Sequence, residues 1–111
     1  MDRMTPAQLR THLLNEMAWY AAGGGDHAIL RLIDDEPHGI YAVTATEHTD
    51  HAERAVLIMQ ARIEDELIIV DVDQVFDKKL YQRLLQAGVP REQIVLVYQG
   101  EPLPHPVAPF P

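Results

Sequence analysis

His48 and His51 stand three residues apart in the stretch TEHTDHAER, residues 46–54, with Glu47, Asp50 and Glu53 around them. Imidazoles and carboxylates are the side chains that hold zinc or magnesium. A helix would set residues at that spacing on one side, whereas an extended chain sends them to opposite faces. Strand-like sequence flanks the stretch, and no His-Glu-x-x-His motif is present. The spacing therefore predicts a solvated loop between two strands. A turn that gathers His48, Asp50 and His51 is the alternative, and it would make a small metal-dependent enzyme. Asp71 and Asp73 form a second carboxylate pair. They alternate with apolar residues, which puts both on one side at a strand end, where they could bind Mg²⁺. The preferred reading gives Asp73 to a helix cap and Asp71 to the surface. Lys78, Lys79 and Arg83 form a small basic patch, either a solvated helical face or a contact for a partner. The triple glycine 23–25 has no preceding strand and no following lysine, so it is not read as a phosphate loop.

The elements that would position these groups are marked in the sequence. Thr5, Pro6 and Gln8 have the spacing of a helix start with a capping box. Leu9, Leu13, Met17 and Tyr20 then make one apolar stripe up to the glycines. Trp19 and Tyr20 close that helix and suit core packing or a dimer seam. Strands are predicted from 27 to about 34, at 40–46, 54–64 and 67–72. If Asp65 and Glu66 make a two-residue turn, Ile63 faces Ile68, Ala61 faces Val70 and Met59 faces Val72. The other face then pairs Arg62 with Ile69 and Gln60 with Asp71. A second helix is predicted over 74–87, with Phe76, Leu80 and Leu84 on its buried side and Gly88 and Pro90 at its end. A short apolar strand follows at 93–98. The order, helix, four strands, helix, strand, predicts an α+β domain. It would be a mainly antiparallel sheet of about five strands with two helices packed on one face. Residues 1–100 form that domain, and 101–111 a proline-rich tail, extended and without a core of its own.

Composition narrows the classes of function. The chain has 111 residues, 47% of them hydrophobic, and no cysteine, so disulfides and thiolate metal sites are excluded. Seventeen acidic residues against nine basic give a formal net charge of −8. Such a surface is repelled by nucleic acid phosphates, so any DNA-linked role would run through a partner protein. No apolar run approaches the roughly 20 residues of a membrane span, and the first ten residues lack a signal-peptide core. A cytoplasmic protein without a cofactor is the expectation.

The stretch LLQAGVPREQIVLVYQGE, residues 84–101, resembles the C-terminal signature of the XisI-like family. The matching positions are Ala87, Gly88, Val89, Pro90, Arg91, Glu92, Ile94, Val95 and Leu96. Weaker similarity runs over 27–83, through Tyr41, Arg54 and Asp73. The chain departs from the family at Gln60, where a histidine is common, and at Ile69, where a tryptophan is common. It departs again at Gln74-Val75, where Gly-Thr is usual, and in its proline-rich end. The resemblance implies the α+β fold named above and a non-catalytic accessory role in excision of a DNA element. It also implies a XisH-like partner with a nuclease-like fold. On that reading Lys78, Lys79, Arg83 and Phe110 are the expected partner-binding residues. A homodimer is expected too, because Leu67 and Ile69 would otherwise be apolar and exposed on the mixed face. A stand-alone ligand-binding domain, with a closed apolar pocket, is the third reading.

Overall fold

The computed structural model describes residues 3–25 and 28–104. Helix α1 spans Pro6–Ala21. Its start is a reciprocal capping box. The Gln8 amide donates to Thr5 Oγ1 at 3.2 Å, and the Thr5 amide donates to Gln8 Oε1 at 2.8 Å. Five strands follow the chain order across one sheet: β1 (Ala28–Asp35), β2 (Ile40–His48), β3 (Glu53–Glu64), β4 (Leu67–Asp73) and β5 (Ile94–Leu96). The first four are antiparallel to their neighbours, and β5 lies parallel to β4 because helix α2 (Leu80–Gln86) carries the chain back. Both helices lie on one face. Leu9, Leu13 and Met17 of α1 and Leu80 and Leu84 of α2 are fully buried there against Tyr41, Val43, Met59, Ile68 and Val70. The expected α+β architecture, mostly antiparallel, is the one observed.

The β3–β4 hairpin has the expected two-residue turn, with Glu64 opposite Leu67. Asp65 and Glu66 both hold positive φ, 50° and 61°, the geometry that Asn-Gly adopts without strain. Replacing Asp65-Glu66 by Asn-Gly is expected to raise stability by about 1 kcal/mol, read as a higher urea midpoint at unchanged slope. A lower midpoint would show that these side chains contribute more than their backbone strain costs.

Register follows expectation from the turn to Ala61–Val70 and then slips. A bulge places Gln60 opposite Val72 and Met59 opposite Asp73, in place of Met59–Val72 and Gln60–Asp71. Asp71 is the extra residue. One added residue reverses the alternation of faces beyond it, so Asp71 and Asp73 do not share a side.

Helix α2 is shorter than the periodicity predicts. It starts at Leu80, and residues 74–79 form a loop. The cause is Asp73. Its carboxylate accepts from the Val75 amide at 3.1 Å and the Leu80 amide at 2.8 Å, so it caps the helix from seven residues away. Lys79 Nζ donates to the Asp73 carbonyl at 3.0 Å and closes the loop. Phe76, placed by spacing on the buried stripe, is 96% exposed. The other end behaves as predicted. Gly88 takes φ 99°, and the Val89 amide donates to the Leu84 carbonyl at 3.0 Å.

Leu67 and Ile69, expected on an exposed face, are buried. They form a second cluster with Val95, packed by Val97 and Leu103, on the helix-free side of the sheet. The reason lies far along the chain, where residues 97–103 fold back over β4 and β5. Arg91 and Glu101 of the signature stretch hold that return. Glu101 Oε1 accepts from the Leu96 amide at 2.9 Å, its other oxygen accepts from Arg91 Nη2, and Arg91 Nη1 donates to the Ile94 carbonyl at 2.6 Å. The Leu96 amide, with Arg91 beside it, holds the Glu101 carboxyl below its ordinary range. A depressed pKa in the folded state stabilises above the unfolded value and is lost as pH falls through the folded one. Between about pH 7 and pH 3 the wild-type melting temperature is expected to fall further than that of Glu101→Gln. Parallel falls would remove Glu101 from the acid response.

Candidate functional site

The groups singled out for chemistry do not converge. β2 runs on through His48 and β3 begins at Glu53, so the predicted loop shortens to residues 49–52. The Thr49 side chain fastens it, with Oγ1 accepting from the Ala52 amide at 3.0 Å. Asp50 and His51 are exposed at its tip, and His48 pairs with Glu53 at 3.2 Å. Asp71 lies on the helix-free face, where it accepts from Arg62 Nε at 2.9 Å and Gln60 Nε2 at 3.3 Å. Asp73 lies on the helix face with both oxygens engaged by backbone amides. Among the described residues no group of three histidines or carboxylates is placed to hold a metal.

The structure instead gathers aromatic and apolar surface at the end of α1. An open cleft of about 500 Å³ is lined by Trp19, Tyr20, Leu30, Val43, Ile58 and Val75, with Asp77 and Lys78 at its mouth. A second depression, lined by Glu47, Arg54, Val56, Gln74, Phe76 and Lys79, shares Ile58 with the first. The two make one surface, with Trp19 on one side and Phe76 on the other. Local folding explains both exposures. Trp19 precedes Tyr20, which takes the buried position of the α1 stripe, so Trp19 is turned aside and remains 53% exposed. Phe76 sits in the loop that Asp73 holds off the helix. Ile58 is the surplus residue at a β2–β3 bulge, since Val43 faces Met59 while Thr44 faces Leu57.

Polar contacts fix this surface. Arg83 stacks over the Trp19 ring, 3.7 Å from its centroid, and donates from Nε to Glu16 at 2.9 Å. The stacking orients the indole and places a cation on its face. The Tyr20 hydroxyl donates to the Lys78 carbonyl, which ties α1 to the Phe76 loop. Burial pushes the Tyr20 pKa up to about 12, so its oxygen holds its proton and serves as a donor. Lys78 Nζ donates to Gln86 Oε1 at 2.7 Å. The predicted basic patch thus lies at the rim of the cleft, with each of its three cations engaged within the chain. Phe110, the fourth expected partner residue, lies outside the described residues. Spacing alone hides Phe76 as a surface group, because its step of four to Leu80 mimics a core position. Trp19 was visible as a large aromatic but not its exposure.

The comparisons with known proteins follow the fold. A family model described as XisI protein matches residues 1–105. A XisI-like protein from Anabaena variabilis ATCC 29413 has a solved structure that superposes with a TM-score of 0.65 at 22% identity, over 79% of this chain and 84% of that one. The solved fdxN element excision controlling factor XisI from the same organism gives a TM-score of 0.67 at 20% identity, over 84% of this chain and 86% of the other. At such identities these structures are similar in fold. No curated protein matches the sequence. No helix among the described residues is long and apolar enough to cross a membrane.

Proposed function

The chain belongs to the XisI family, and on that premise we propose that it is a non-catalytic regulatory protein that controls excision of a DNA element through a XisH-like partner. A solved structure of the same fold is an element excision controlling factor. The observation that carries the reading is the surface between Trp19 and Phe76. Asp73, Asp71 and His48 are engaged in caps and ion pairs, while Trp19 is exposed at an open cleft and Phe76 in the depression beside it. Exposed aromatics beside an apolar depression, with a stacked arginine at the edge, are the composition of a protein-binding centre. Lys78, Lys79 and Arg83 supply the polar rim, and Phe110 extends the docking set. The chain's charge of −8 would draw in a basic, DNA-handling partner faster than a neutral one. The partner then meets the nucleic acid, which this acidic chain is ill suited to do.

Co-expression with a tagged XisH-like protein from the same genome tests the proposal. The two are expected to co-purify, and Phe76→Ala is expected to weaken the complex by about tenfold or more. Because Phe76 is almost fully exposed, its replacement should leave stability within about 0.5 kcal/mol. Failure to associate would overturn the proposal, as would substrate turnover by the purified chain that disappears when one carboxylate or imidazole is replaced.

A further inference from the structure

The sheet ends on β1, whose outer edge no other described strand pairs. Among the described residues the glycines before β1 meet its start, where Gly25 bridges Ala28 and Gly24 lies close to the Ala28 carbonyl and Leu30 amide. Edges are usually blunted by shortness, proline, lysine or a bulge. β1 has eight residues without proline or lysine, and its register against β2 is unbroken. On the helix-free face Ile29 and Ile33 are 45% and 51% exposed, with Ile40 of β2 near Ile33.

A long edge without a bulge can accept a strand, and the charges it carries at Arg31, Asp34 and Asp35 indicate whose. Two copies joined edge to edge as antiparallel strands share a two-fold axis perpendicular to the sheet. Such an axis keeps each side chain on its own face, so it must pass opposite a residue rather than between two. An axis at Arg31 sets arginine against arginine, and one at Asp34 sets aspartate against aspartate. An axis at Leu32 sets Arg31 against Ile33, Ile29 against Asp35 and Leu30 against Asp34. An axis at Ile33 sets Ile33 against Ile33 and, on both sides of it, Arg31 against Asp35. There Leu32 meets Asp34, whose exposed carboxylate can turn to water. Of the four, only the axis at Ile33 matches apolar with apolar and cation with anion on the exposed face. Arg31 now donates to Thr46 Oγ1 at 3.2 Å and Asp35 pairs with His38 at 3.0 Å. Both contacts are exposed and weak enough to exchange.

We infer that a second copy of this chain pairs with β1 across a two-fold axis at Ile33, which makes one continuous ten-stranded sheet. The homodimer expected from Leu67 and Ile69 therefore has a different seam, since those residues are covered by their own chain.

The chain has no cysteine, so one introduced thiol reports cleanly. In the paired arrangement residue 33 faces its own copy at a Cα separation of about 4.5–5.5 Å, within disulfide range. Oxidised Ile33→Cys is expected to give a covalent dimer, and Ile29→Cys, on the same face and similarly exposed, is expected to give none. In sedimentation of the full chain, Arg31→Asp or Asp35→Arg alone should raise the dimer dissociation constant about tenfold, since each turns two attractions into repulsions. The double variant Arg31→Asp with Asp35→Arg should restore it, and melting curves confirm that each variant is folded. A monomer at all concentrations overturns the inference, and so does a dimer indifferent to single reversal or one that the double variant does not recover. Equal cross-linking at positions 29 and 33 overturns the register.

Discussion

Gln93→Ala is expected to lower the stability of this protein by more than about 3 kcal/mol. Gln93 is fully buried although its side chain is polar. Its carbonyl oxygen accepts from the Met4 amide at 2.8 Å, and its amide group donates to the Met4 carbonyl at 3.0 Å and the Glu66 carbonyl at 2.9 Å. One side chain thus joins the segment before α1, the β3–β4 turn and the start of β5. Alanine removes all three bonds and leaves a void, at roughly 1 kcal/mol for each bond plus the cavity. Gln93→Glu separates the two contributions. It keeps the volume and the acceptor, but an ionised carboxylate cannot donate to either carbonyl, so at neutral pH it should cost at least as much as alanine. Acidification returns one donor, and the gap between Gln93→Glu and wild type should narrow as pH falls. Urea midpoints at two pH values measure this. A loss under about 1 kcal/mol for Gln93→Ala would show that the three segments are held together by packing.

Gln93 also marks what the sequence conceals. The α1 cap, the hairpin turn near Ile63 and Ile68, and the Gly88 helix end are written in residues close together, and pattern alone places them. Three features depend on partners far away. Gln93 reads as part of an apolar strand until Met4 and Glu66 meet it. Phe76 reads as core because its spacing to Leu80 and Leu84 fits a helix, and nothing nearby reveals that Asp73 delays the helix start. Leu67 and Ile69 read as exposed because their cover, Val97 and Leu103, arrives some thirty residues later. The carboxylate pair Asp71 and Asp73 depends on the bulge, whose position no local composition announces. The candidate surface was therefore only half legible. Its cations and Trp19 were in view, while the cleft and the exposure of Phe76 required the fold.

Asp73 links the fold to the proposed surface, and its replacement gives the second large effect. Asp73→Ala strips acceptors from the Val75 and Leu80 amides together. Both bonds are charge-assisted and the Leu80 bond is buried, so a loss of about 3 kcal/mol is expected. Asp73→Asn retains one acceptor oxygen but turns a donor toward the other amide, and about 2 kcal/mol is expected. Asp71→Asn is the control, because its bond to Arg62 is partly solvated and bears on the opposite face. It should cost about 1 kcal/mol or less. The same loop presents Phe76, so the Asp73 variants should also lose affinity for the co-expressed partner at temperatures where they remain folded. That loss should match or exceed that of Phe76→Ala, whereas Asp71→Asn binds as wild type. Urea melts and pull-downs on the three variants read both consequences. If Asp73→Ala were as stable as Asp71→Asn, the cap would not define where α2 begins. If it were unstable yet bound the partner normally, the surface between Trp19 and Phe76 would not be the docking site, because a loop released from its anchor could not hold Phe76 in place.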